Sequence, residues 1–101
     1  ARQEADAAAR QRAAEQRVEA RRGQDGDRQS KIEARRRERA LAEMEEEIHR
    51  LERRLAQLEH DLQSASHAQD LTRIQQLSAA YADTQSTLEE SMEAWAELAD
   101  A

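Results

Sequence analysis

From Leu41 onward, large apolar side chains recur at alternating steps of three and four: Leu41, Met44, Ile48, Leu51, Leu55, Leu58 and Leu62. This is the a/d spacing of a coiled-coil seam, sustained over three heptads. A stripe of this kind needs a second helix to cover it. After the small and polar run Gln63–Asp70, the positions Leu71, Ile74, Leu77, Tyr81, Leu88, Met92, Trp95 and Leu98 mark that helix. Ile74, Tyr81, Leu88 and Trp95 recur every seven residues. The other line of this seam is weaker and is drawn from Leu77 or Ser78, Thr84 or Gln85, and Met92. A short connection turns the second helix back along the first.

The pattern therefore predicts an all-α fold, a two-helix antiparallel coiled-coil hairpin over residues 30–101. Its helices span about 30–64 and about 70–99, with a loop at about 65–70. Ser30 with Glu33 reads as a capping box for the first helix. Ser66 with Gln69, or else Asp70, caps the second. Pairing Leu62 with Leu71 sets the register. Leu51 then lies near Tyr81, Met44 near Leu88, Leu41 near Met92, and Trp95 near Arg37 in a cation–π contact.

Residues 1–22 read differently. They are Ala, Arg, Gln and Glu, with Val18 the one large apolar residue. Each favours a helix, but nothing there buries a face, and an isolated helix of this length is marginal in water. Both glycines fall in Gly23–Ser30, which reads as a break. Residues 1–29 are thus expected to be a charged linker, helical or disordered, forming a flexible or frayed basic N-terminal segment. Asp25-Gly26-Asp27 matches only the start of a calcium loop, without the closing Glu.

Composition sharpens this picture. Charged residues make up 38% and aromatics 2%, with no Pro and no Phe, too little bulky apolar surface for a layered core. The absence of Cys excludes disulfides and thiolate metal sites. No apolar run nears the roughly 20 residues of a bilayer span. A chain starting mid-pattern without Met is expected to be part of a longer protein. The charge is uneven. Residues 1–40 hold twelve basic and eight acidic side chains, a net of +4; residues 41–101 hold four and fourteen, a net of −10, which together give the overall −6.

The densest cationic cluster is Lys31, Arg35, Arg36, Arg37 and Arg39, the candidate nucleic-acid-binding residues. Arginine clusters neutralise phosphates and release counterions. With no aromatic residue beside them, such binding is phosphate-led and weakly sequence-selective. The competing reading is a solvated helix face, with Glu33 and Glu38 pairing with the arginines. No phosphate-binding loop, nucleophile elbow or zinc-protease motif is present. His49 and His60 sit at solvent-side heptad positions and His67 near the loop, so no metal site and no catalytic group is assigned.

The run Leu55-Ala56-Gln57-Leu58-Glu59-His60-Asp61-Leu62, followed by Ala65-Ser66, Asp70, Ile74, Leu77, Tyr81, Leu88 and Trp95-Ala96-Glu97-Leu98, resembles the C-terminal domain of ABC-F ATPases, including the Uup type. The similarity covers residues 41–101 and rests most on Tyr81, Leu88, Trp95 and Leu98. One departure is that Ser30-Lys31-Ile32-Glu33 and the arginines replace the L-S-[YF]-K-x-x-x-E segment of many members. The resemblance implies a cytoplasmic parent protein with two ATP-binding cassettes that bind ATP and magnesium upstream. It implies no cofactor in this domain and no membrane contact. It also implies ribosomal RNA or DNA, and the cassette domains of the same chain, as partners. The hairpin is expected to be a monomer or weak dimer. The alternatives are a purely structural coiled coil for self-association or docking, and an RNA-binding arm like that of seryl-tRNA synthetases.

Overall fold

The computed structural model describes residues 2–101 of the chain. It contains two helices, α1 (Arg2–His67) and α2 (Leu71–Asp100). Two compact units are distinguished, one ending at Arg36 and the other running Arg37–Ala101.

In the first unit the expected break at Gly23–Ser30 is absent. Gly23, Gly26 and Ser30 are all helical, so Ser30 is not an N-cap and its capping box with Glu33 does not form. Each glycine costs a helix about 1 kcal/mol relative to Ala. The Ala, Arg, Gln and Glu residues on both sides are strong enough helix formers to carry the helix through. No proline removes a backbone donor.

The second unit is an antiparallel hairpin. Leu51, Leu58, Ala65, Leu77 and Leu88 are buried, and Leu58 is 0% exposed. Leu58, Ala65 and Leu77 form the central cluster, with Leu62, Ile74, Ala80 and Tyr81 packed against it. On α2 the covered positions include Ile74, Leu77, Tyr81, Thr84, Leu88, Ser91, Trp95 and Leu98, an alternation of three and four, with Ala80, Ala96 and Ala99 half-buried beside it. The ambiguous line thus resolves to Leu77, Thr84 and Ser91. The half-buried Thr84 satisfies its hydroxyl by donating to the Ala80 carbonyl at 2.7 Å.

Two assigned seam residues lie off the seam: Leu71 is 73% exposed and Met92 43%. This changes the register. With Ile74 as the first seam residue of α2, each α2 position meets α1 closer to the turn than the Leu62–Leu71 pairing places it. Tyr81 Oη donates to Glu59 Oε1 at 3.1 Å rather than lying near Leu51. Trp95 Nε1 donates to Glu45 Oε1 at 3.2 Å, and the Arg37 guanidinium is occupied elsewhere, by α2 backbone carbonyls.

The turn explains the shift. Helix α1 runs to His67, into the first half of the expected loop, and Ala65 continues its seam one step past Leu62. The Asp70 amide donates to the Ala65 carbonyl and the Gln69 amide to the Ser66 carbonyl, which is the Schellman pattern. Gln69 adopts φ 55°, the left-handed conformation this motif requires. Asp70 then caps α2: its carboxylate accepts from the Arg73 amide at 3.0 Å and its carbonyl from the Ile74 amide at 2.9 Å. Of the two candidate caps, Asp70 serves. Ser66 is still inside α1.

Candidate functional site

The five basic candidates do not share one environment. Lys31, Arg35 and Arg36 belong to the first unit and are exposed. Lys31 and Arg35 are one turn apart on the same face; Arg36 points about 100° away. In the second unit Arg39 is exposed and Arg37 half-buried. Arg37 sits four residues before Leu41, in line with the seam, and so faces α2. Its Nε donates to the Leu98 carbonyl at 3.1 Å and its Nη2 to the Ala99 carbonyl at 2.7 Å. These are among the last carbonyls of α2, which have no partner within their own helix. A cation there also complements the negative end of the helix dipole. Arg37 is therefore a C-terminal cap for α2 and is withdrawn from the cationic surface.

The anticipated pairing of the arginines with Glu33 and Glu38 is not formed. Among the described residues the ion pair is Arg50–Glu47 at 2.6 Å, and His49 Nδ1 lies 3.7 Å from Glu52 Oε1, a contact that is ionic only with a protonated imidazole; both are within α1. The hydrogen bond to Arg50 holds the Glu47 carboxyl below its ordinary value and raises Arg50 in turn. Lys31, Arg35, Arg36 and Arg39 make no ion pair among the described residues.

Two aromatic donors tie the helices together at the surface, Tyr81 to Glu59 and Trp95 to Glu45. The hydrogen bond to Glu59 raises the Tyr81 phenol above its usual value. Apolar spacing reveals the aromatic residues, but their acceptors sit beside the seam and are hidden among many surface glutamates. Beside Trp95, Ile48, Met92 and Ala96 form a shallow apolar groove edged by Glu45 and His49.

Among the described residues, no three His, Asp or Glu side chains converge as a metal site. Among the described residues no helix is long and apolar enough to cross a membrane.

No curated protein and no solved structure matches the chain. The ABC transporter C-terminal domain family matches residues 31–100, which contain the whole hairpin seam and its turn. This is a small helical accessory domain rather than a catalytic ATPase domain, and ATP hydrolysis belongs to the parent ABC protein. A seam from Leu41 to Ala65, its complement from Ile74 to Leu98 and the matched span together place this chain in the ABC transporter C-terminal domain family.

Proposed function

We propose that this domain is the C-terminal coiled-coil arm of a cytoplasmic ABC-F ATPase, and that it contacts nucleic acid, ribosomal RNA or DNA, through Lys31, Arg35, Arg36 and Arg39. The ABC-F assignment rests on the Tyr81, Leu88, Trp95 and Leu98 series. ATP and magnesium would be bound by the cassette domains of the same chain. The observation that carries the nucleic-acid reading is that these four cations stand exposed and unpaired by acidic groups in a chain of net charge −6. Exposed unpaired cations bind phosphates by displacing counterions, with affinity that falls as salt rises.

The test is binding to ribosomal RNA and to duplex DNA across a salt series. The variant carries Lys31→Gln, Arg35→Gln, Arg36→Gln and Arg39→Gln and keeps Arg37, because Arg37 holds the end of α2. The wild type should bind with a steep salt dependence. The variant should lose up to roughly 0.9 of log–log slope per phosphate contact on a duplex. No binding by the wild type at low salt would refute this reading and leave the arm as a structural or docking coiled coil. The hairpin is proposed to act as a monomer, so its melting temperature should not change with protein concentration.

A further inference from the structure

The unbroken helix of the first unit arranges its charges in a way the expected break conceals. At about 100° per residue, Arg10, Arg17, Arg21, Arg28, Lys31 and Arg35 fall within an arc of roughly 80°. Between Arg10 and Arg35 that arc otherwise holds only Ala13 and Gln24 and no carboxylate. Glu15, Glu19 and Glu33 lie on the opposite side, while Asp25 and Asp27 flank the arc about 40° beyond its edges, four residues from Arg21 and Lys31. All six cations are exposed, and none makes an ion pair among the described residues. At 1.5 Å per residue the stripe is about 37 Å long, the axial length of about eleven base pairs. Arg10, Arg17, Arg21 and Arg28 precede the span matched by the family.

We infer that this stripe is a track for the phosphate backbone of a nucleic-acid duplex. The inference rests on the nucleic-acid reading above and extends it to residues that reading does not include. The chemistry selects the partner. A protein interface needs buried apolar or aromatic anchors, and the stripe has none. An anionic lipid surface needs an apolar helix face to insert, and Val18 and Ile32 are the only large apolar residues before Arg36. Single strands are held largely by base stacking on aromatic side chains, which this unit lacks. A row of cations alone suits a regular, closely spaced line of phosphates, read without sequence preference.

The experiment compares two charge-matched double variants of the full chain on a labelled duplex of about two helical turns, with a single strand of equal length alongside. Arg17→Gln with Arg21→Gln removes two stripe cations. Arg12→Gln with Arg22→Gln removes two from the other side. Circular dichroism checks that helicity is retained, as expected for Gln. The stripe pair should lower the salt slope on duplex by roughly 2, and the opposite pair should leave it nearly unchanged. Equal effects from both pairs would overturn the stripe and reduce it to net charge. Equal wild-type affinity for the single strand would overturn the duplex assignment. Loss of binding only on changing Lys31, Arg35, Arg36 and Arg39 together would sink the stripe and leave the function above standing. No wild-type binding would sink both. Salt-sensitive self-association without duplex binding would hand the stripe to the acidic region of a second copy and overturn the inference.

Discussion

Both units are helical, yet different forces hold them. In residues 2–36 every side chain but Ala13 is exposed, so the helix there stands on local propensity and solvation alone. In Arg37–Ala101 a residue is covered at every third or fourth position, and Leu58 has lost all contact with water. The contrast separates two properties that a helical sequence blends. Whether a segment is helical is decided over a few turns. Whether it is cooperative is decided by what covers its stripe.

The largest effect should come from the centre of the covered unit. Leu58→Ala removes a fully buried side chain and should cost about 2–5 kcal/mol, enough to abolish the cooperative thermal transition of a hairpin this small. Hydrogen exchange in residues 2–30 should not change. Faster exchange there would mean that the first unit draws stability from the seam.

Arg37→Gln comes next. It deletes two charge-assisted bonds to the end of α2 and should cost about 1–3 kcal/mol. Exchange should speed at the α2 C-terminus and stay slow at Leu77. Retained nucleic-acid binding alongside this fraying would sharpen the view of Arg37 as a cap. Lost binding with an intact α2 would break it.

At the turn, Asp70→Ala should lower stability by about 1 kcal/mol through loss of the N-cap, and Asp70→Asn should restore most of it. Gln69→Gly should move the midpoint the other way by up to about 1 kcal/mol, because a left-handed residue other than glycine is strained. A midpoint indifferent to both changes would show that the turn merely follows the packed helices.

The smallest expected effect on the hairpin tests the uncovered unit. A Cβ at Gly23 or Gly26 would meet nothing within 4 Å. Gly23→Ala with Gly26→Ala should therefore favour the local helix by about 1 kcal/mol per site and slow amide exchange around residues 18–30. The hairpin melting temperature should stay where it was. An equal rise in that temperature would show that the two units melt as one.

Most of the hairpin could be read before the structure. The α1 seam from Leu41 to Leu62 is a long, strongly periodic signal, and such signals are hard to misread. Two misreadings have a shared cause. Leu71 and Met92 are apolar, and apolarity alone does not mean burial. Yet the first residue of a capped helix faces the turn and the solvent, and a strict three-four alternation selects Ser91 over Met92. The candidate site was legible as composition but not as surface. Lys31, Arg35, Arg36, Arg37 and Arg39 are close in sequence, but the helix divides them: Lys31 and Arg35 share a face, Arg36 points about 100° away and Arg37 turns to α2.

The sequence by itself determined that this chain is helical, that α1 carries one apolar stripe, that a partner helix follows within a short turn, and that positive and negative charge are segregated along it. These properties follow from residue type and spacing and need no distant contact. Only the tertiary structure decided the register, since several pairings cover the same leucines and the choice depended on where α1 stopped. It alone turned Arg37 into the cap of a helix end more than sixty residues away. Such a contact depends on two segments reaching the same place in space, and nothing local to either one encodes it.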